Sequence, residues 1–279
     1  MENDPYTLIT GGLGGLGSAF ALECGQRGQN LFLVDQRPSA DEMLIFLQDR
    51  FPIQVQYRSC DLANDAQRAE LLTQLGHSGF SFSSLINIVG REYEGSFLEK
   101  NREEILHMLH LNLEAMVDLT LGILKLRDVT RRFMLVNVAS MGGFFPMPYK
   151  AVYSSTKRFI INFSLALREE VRAFSNVTVL CPAGLPTNPE SMKKIFLQGF
   201  WGRMTAQDTA VVARKTLDKA ERNTPIYTPG LPNKIMVGLS HLLPERWQAA
   251  YLARRWGNQQ THLDLWRLTE EQRSEAMEK

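Results

Sequence analysis

A repeated alternation limits the possible folds of this chain more than any other feature. Short apolar runs are each followed by a longer segment of helical period. Of the runs at Tyr6–Thr10, Leu31–Asp35, Ile53–Arg58, Ser84–Val89, Phe133–Ala139, Val177–Cys181 and Ile226–Thr228, most carry apolar residues at both odd and even positions. A strand with one buried face would alternate apolar and polar residues, so these runs predict strands covered on both sides, as in parallel sheets. Helical patterns over 15–28, 40–50, 64–76, 101–127, 150–174 and 205–222 fall between them. The alternation predicts an α/β fold: a doubly wound (Rossmann) parallel seven-stranded sheet with helices on both faces and right-handed crossovers. Ligands of such sheets bind beyond the carboxyl ends of the strands. Function should therefore be sought just after each strand.

After the first strand comes Thr10-Gly11-Gly12-Leu13-Gly14-Gly15-Leu16-Gly17, which opens the first helix. Glycines let the backbone turn tightly and approach a pyrophosphate, while a helix N-terminus offers free N–H groups and positive potential. Its spacing has one more residue between the first two glycines than the G-x-G-x-x-G fingerprint. The second strand ends in Asp35, placed to accept from a ribose 2′-hydroxyl and to repel a 2′-phosphate. Gln36 is neutral and Arg37 is near enough to blur that preference, so NAD is favoured and NADP kept open. Asp61-Leu62 after the third strand and Asn87-Ile88-Val89-Gly90 after the fourth face the same edge; a helix N-cap competes for Asp61.

Ser140 ends the fifth strand, and Tyr153 and Lys157 follow at i and i+4 on one helix face. A phenol is a poor base at neutral pH. An ammonium about 4 Å away, at an effective dielectric near 20, would favour the phenolate by roughly 4 kcal/mol, an upper bound of about three pKa units. That would suit Tyr153 to general acid–base work. Ser140 would hold the substrate oxygen.

In the order of these motifs the chain resembles the short-chain dehydrogenase/reductase family, of the compact single-domain type. The resemblance spans roughly residues 5–230: the glycine turn, Asp61, Asn87 to Gly90, Asn112, Ser140, Tyr153 with Lys157, and Pro182 with Thr187. It implies that Tyr153 is the acid/base, that Lys157 lowers its pKa and binds the nicotinamide ribose, and that Ser140 orients the carbonyl or carbinol. It also implies that Asn112 holds a water relaying protons to Lys157, and that Pro182, Ala183, Gly184 and Thr187 lie by the nicotinamide. Family members commonly pair through the helices predicted here at 101–127 and 150–174, giving homodimers or homotetramers. Three stretches depart from the family pattern: Asn87-Ile88-Val89-Gly90 stands for Asn-Asn-Ala-Gly, Pro182-Ala183-Gly184 for Pro-Gly, and the tail after residue 230 is longer than the core fold requires.

Apolar side chains crowd the substrate end. Met141, Phe144, Phe145, Met147 and Tyr149 follow Ser140, and Phe196, Phe200 and Trp201 lie in a long connection, 183–204, that suits a lid. They point to a bulky hydrophobic alcohol or ketone. A hydroxysteroid-like molecule is the first expectation and a 3-oxoacyl chain reduced with NADPH the second. A non-catalytic dinucleotide-binding regulator is the rival from another class; the presence of Asn112, Ser140, Tyr153 and Lys157 disfavours it.

Residues 1–230 read as the dinucleotide-binding and catalytic domain, and 231–279 as a helical C-terminal extension. Ile235, Leu239 and Leu242 make a stripe there that Trp247 and Tyr251 continue. Packing on the core or across a subunit interface is the expected use, with peripheral membrane contact through Arg246, Arg254 and Arg255 second. The formal net charge of +1 argues against nucleic acid as a partner. Cys24, Cys60 and Cys181 lack metal-ligand spacing and suit buried thiols in a reducing compartment; no metal is expected, His107 and His110 notwithstanding. The first strand begins by Tyr6, leaving no room for a signal peptide, and no apolar run spans a membrane. A cytoplasmic protein is expected.

Overall fold

The structure, a computed structural model, describes residues 4–187, 191–192, 205–240 and 242–257. Seven parallel strands form one sheet in the order β3-β2-β1-β4-β5-β6-β7. They are β1 (Tyr6–Thr10), β2 (Asn30–Asp35), β3 (Val55–Ser59), β4 (Phe82–Asn87), β5 (Phe133–Val138), β6 (Ser175–Leu180) and β7 (Ile226–Tyr227). The order reverses at β1, and every β1 residue from Thr7 to Thr10 pairs with β2 on one side and β4 on the other. That reversal opens the crevice in which such sheets bind ligands. The expected doubly wound architecture is therefore present.

Two-faced burial explains the unbroken apolar runs. Ile9, Leu31 and Leu33 enter one core with Phe20, Leu47 and Val212. Their neighbours Leu8, Phe32 and Val34 enter a second core, on the other face, with Leu71, Phe82 and Leu119. Each such fully buried side chain contributes roughly 1.5–3 kcal/mol. The covering helices are α1 (Gly15–Gln26), α2 (Asp41–Arg50), α3 (Asp65–His77), α4 (Arg102–Leu109), α5 (Ala115–Lys125), α6 (Ala151–Glu170) and α7 (Thr209–Glu221). Helix α8 (Leu231–Ser240) and a helical stretch over 245–257 follow.

One local feature differs from the sequence reading, and another resolves an alternative it left open. The single helix expected over 101–127 is interrupted by a π-helical turn, His110–Glu114, between α4 and α5. Such turns fit one extra residue into a helix and re-aim its side chains; here Leu111 and Asn112 are turned into the protein. The second concerns α3, whose N-cap is Asn64, accepting from the Gln67 N–H at 3.1 Å. Asp61 instead accepts from the Ala63 N–H at 3.0 Å and lines the ligand crevice.

Candidate active site

The glycine turn is shaped by backbone contacts that no side chain would tolerate. Gly11 has a φ of +66°, in the left-handed region, and donates to Val34 O at 2.7 Å, tying the turn to β2. A side chain at Gly17 would collide with the Gly11 carbonyl. One at Gly15 would come within 2.5 Å of Thr187 O, so the segment after β6 already lies across the mouth of the turn. Helix α1 starts at Gly14–Gly15 without a side-chain cap, leaving first-turn N–H groups for a ligand.

Asp35 is buried at the end of β2. Its carboxylate accepts from Leu13 N at 3.2 Å and Arg37 N at 3.2 Å, while the Arg37 guanidinium donates to Leu13 O at 2.9 Å. Together the turn, the helix end and this carboxylate fit a dinucleotide. Thr10 serves them indirectly: its hydroxyl accepts from the N–H groups of Ile88 and Val89 at 2.9 and 3.2 Å, fixing the strand-end segment opposite.

The proton-handling residues converge from three elements. Ser140 caps a 3-10 turn, Met141–Phe144, and its Oγ accepts from Gly142 N at 3.1 Å. That turn presses directly on α6, because a side chain at Gly143 would meet the Lys157 carbonyl carbon at 2.8 Å. The close approach sets the Ser140 hydroxyl beside the Tyr153 phenol, near enough to act on its pKa. Lys157 lies deeper, 4% exposed, with Nζ donating to Val138 O at 3.1 Å and standing 5.7 Å from the Tyr153 ring centroid.

The electrostatics of this pair differ from the sequence expectation. Burial pushes the Tyr153 phenol well above its ordinary value, Glu92 adds to the rise, and the Ser140 hydroxyl opposes it. Burial also depresses Lys157 to about 8, against the pull of Glu92 and Cys181. Loss of water favours the neutral form of both groups, the reverse of the phenolate expected from the sequence. Tyr153 is therefore a proton donor in this state.

Asn112 is 1% exposed; its amide donates to Arg91 O at 2.9 Å and Thr156 Oγ1 at 3.1 Å, and its oxygen accepts from Arg91 N at 2.8 Å. Both amide hydrogens are engaged by protein, leaving only spare acceptor capacity on the oxygen for a water. Asn87 is likewise internal, donating to Thr120 and to Asn137 on β5.

These groups border one cavity of about 1000 Å³. Among the sequence-selected cofactor residues, Gly11, Gly14, Gly15, Leu16, Gly17, Asp35, Gln36, Arg37, Asp61, Leu62, Ile88, Val89, Gly90, Pro182, Ala183, Gly184 and Thr187 line it, with Ser140, Tyr153 and Lys157. Thr10, Gly12, Asn87 and Asn112 are buried and stand behind the wall, Gly12 packing under Leu33, while Leu13 is partly exposed and does not line the cavity. Of the substrate residues, Met141, Phe145 and Met147 line the cavity. Phe144 does not, being packed against the core around Met116 and Ile160. Tyr149 turns its hydroxyl towards Gly257, which carries it off the wall. Phe196, Phe200 and Trp201 lie outside the described residues, as does most of the 183–204 connection.

Sequence reasoning missed one cluster. Lys150, 7% exposed, is paired with Glu92 and, at 3.2 Å, with Glu94, and the Trp256 ring lies 4.6 Å from its Nζ. Burial works against the Lys150 charge, but the two carboxylates more than offset it and hold its pKa above the ordinary value. Met236, Leu252, Arg255 and Trp256 complete the cavity wall from the C-terminal segment. The charged part had a faint signal in Glu92 and Glu94 beside Gly90 and in Lys150 three residues before Tyr153; the tryptophan had none. Among the described residues no group of three or more His, Cys, Asp or Glu could hold a metal ion.

The family model for short chain dehydrogenase matches residues 5–196. The chain belongs to the short chain dehydrogenase family. It is thus an oxidoreductase that works with a nicotinamide dinucleotide. A very-long-chain 3-oxoacyl-CoA reductase of Coprinopsis cinerea is 31% identical to this dehydrogenase over 176 residues, 60% of this chain and 50% of that protein. The chain therefore spans half the length of that relative. One of the same description from Macaca fascicularis is 26% identical over 247 residues, 85% of this chain and 72% of the other. Among solved structures, the bulky-bulky ketone specific alcohol dehydrogenase from Comamonas testosteroni superposes with a TM-score of 0.71 at 25% identity, covering 91% of this chain and 93% of that one.

Proposed function

We propose that the protein reduces a ketone on a bulky hydrophobic substrate, with Tyr153 giving the proton and Ser140 holding the carbonyl oxygen. A bound nicotinamide supplies the hydride. The observation that carries the reading is the Ser140–Tyr153 hydroxyl pair on the wall of the same cavity as the glycine turn. A phenol whose pKa is raised by burial holds its proton until an oxygen beside it gains negative charge, which suits reduction over alcohol oxidation. Asp35 supports NAD as the preferred cofactor, and Arg37 against the turn keeps NADP within reach.

For the substrate, a long 3-oxoacyl thioester is the first candidate. The names of the two relatives support it, as do the apolar Met141, Phe145, Met147, Met236 and Leu252 on the wall. A ketosteroid is the second, compatible with the same apolar wall. We further propose a homo-oligomer through α5 and α6, where Leu121 and Phe159 are 56% and 42% exposed. The test is reduced-nicotinamide oxidation with 3-oxoacyl thioesters, ketosteroids and small ketones. Tyr153→Phe should lower turnover by about 10³-fold while cofactor still binds. Cofactor binding with no turnover on any ketone would overturn the catalytic reading in favour of a regulatory dinucleotide-binding protein.

A further inference from the structure

The two helical segments that close the substrate end of the cavity, α8 and 245–257, have a second, outward face. Their inner side carries Met236, Leu252 and Trp256 and is fixed by buried polar contacts. Asn233 donates to Pro229 O at 2.7 Å, and Gln248 donates to Ser240 O at 2.7 Å, clamping the second segment to the first. On the outer side, Leu231, Ile235 and Leu239 recur every four residues along α8, 71%, 53% and 55% exposed. Leu242, Trp247 and Tyr251 extend the ridge at 77%, 58% and 63%. Seven of the fifteen exposed large hydrophobic side chains among the described residues fall within 231–251. Scattered apolar residues need no explanation, but a contiguous ridge does.

The charges beside the ridge select its occupant. Residues 231–257 contain Lys234, Arg246, Arg254 and Arg255 against Glu245 alone. Lys234, Arg246 and Arg254 are exposed, and the Arg246 guanidinium lies 5.9 Å from the Trp247 ring centroid. A second copy placed on the ridge by a two-fold axis would bring two basic rims together. An anionic lipid surface instead meets the rim with opposite charge, and takes tryptophan, tyrosine and leucine at its interfacial depth. No helix of the described residues is long and apolar enough to cross a membrane, so contact through this ridge would lie along the surface.

We propose that α8 and residues 245–257 dock the protein on an anionic bilayer, with the apolar ridge in the interfacial layer and Lys234, Arg246 and Arg254 at the headgroups. The inner faces of the same segments wall the cavity, so an apolar ligand dissolved in the bilayer reaches the site without crossing bulk water. Docking is a binding property and stands apart from which ketone is reduced.

The test is co-sedimentation of the full-length protein with vesicles of phosphatidylcholine alone and of equal parts phosphatidylcholine and phosphatidylglycerol. Binding should be at least about tenfold tighter to the anionic vesicles and weaken with added salt. The pair Leu239→Asp and Trp247→Asp should cut it by about tenfold or more. The set Lys234→Glu, Arg246→Glu and Arg254→Glu should remove the preference for anionic lipid. All these positions are exposed, and unchanged thermal unfolding would show that the variants fold. Protein that stays in the supernatant with anionic vesicles overturns the proposal, as do ridge variants that bind as well as the parent. Ridge variants that turn an oligomer into a monomer by sedimentation velocity would assign the ridge to a subunit interface and overturn it equally.

Discussion

The Trp256 ring lies 4.6 Å from the Lys150 ammonium, joining the C-terminal segment to the start of the helix that bears Tyr153. Lys150 is itself held by Glu92 and Glu94, which rise from the loop after β4. One contact thus ties three separate stretches of chain at the substrate end of the cavity. A cation over a tryptophan face is worth about 0.5–2 kcal/mol, more as water is excluded.

Trp256→Ala should therefore loosen that wall without touching the reacting groups. The expected result is a KM for a bulky ketone raised about tenfold with kcat little changed, measured by steady-state kinetics. Lys150→Met is predicted to act on stability instead. It removes the buried cation that faces both carboxylates, Glu94 with a side chain only 11% exposed, and should cost about 3 kcal/mol in denaturant unfolding. An unchanged KM in Trp256→Ala would remove the C-terminal segment from substrate binding.

Lys157 gives a pH prediction with a definite direction. Burial depresses it to about 8, so in the cofactor-free protein the ammonium is lost as pH rises through that value. If carbonyl reduction needs the charged form, kcat/KM should fall on the alkaline side of about 8, since this ratio reports the free enzyme's groups. Lys157→Arg keeps the charge at all working pH and should shift or abolish that limb. A flat profile from pH 7 to 10 would detach the amine's charge from the rate.

Cofactor choice turns on Asp35 and Arg37. The Asp35 carboxylate accepts from two backbone N–H groups, so it is aimed and held at the edge of the turn. Asp35→Ala should weaken NAD by about tenfold, near the value of one charge-assisted hydrogen bond, and narrow the gap to NADP. Arg37→Ala should weaken NADP more than NAD. Titration of both cofactors by fluorescence decides it: tighter NADP binding to the unmodified protein refutes the reading of Asp35.

What was legible in the sequence was whatever depends on neighbours along the chain. Strand-end positions of the glycine turn, Asp35 and Ser140 follow from two-faced apolar runs, and all three locations hold in the structure. The spacing of Tyr153 and Lys157 placed both on one helix face correctly. Their protonation was not legible, because it depends on how much water the fold removes, and local spacing carries no measure of that. The π-helical turn at His110–Glu114 left no trace either: one extra residue in a helical repeat looks like ordinary scatter in apolar spacing. Trp256 and Lys150 are 106 positions apart, and only tertiary folding brings them together.

The buried thiols predict how stability responds to alkali. Burial raises Cys24 to about 12 and Cys60 to about 11, and pushes Cys181 up as well, from an ordinary value of 9.0. For each, the folded protein keeps a proton that the unfolded chain gives up above pH 9, so the stabilisation present below 9 is lost as pH rises towards the folded value. The slope is up to about 1.4 kcal/mol per pH unit for each thiol. Lys157 acts in the opposite sense between about 8 and its ordinary 10.5, because there the unfolded chain holds the extra proton. Lys100, also lowered by burial, acts with Lys157, while the raised phenols of Tyr6, Tyr57, Tyr153 and Tyr227 act with the thiols, and the balance is a net decline. Urea unfolding should show a lower midpoint at pH 10 than at pH 8. In Cys24→Ala, which is less stable overall from the cavity it creates, that decline should be shallower by more than a third, because the lysines already offset part of the thiols' sum. An equal decline in both proteins would mean that the Cys24 thiol does not hold its proton in the folded state.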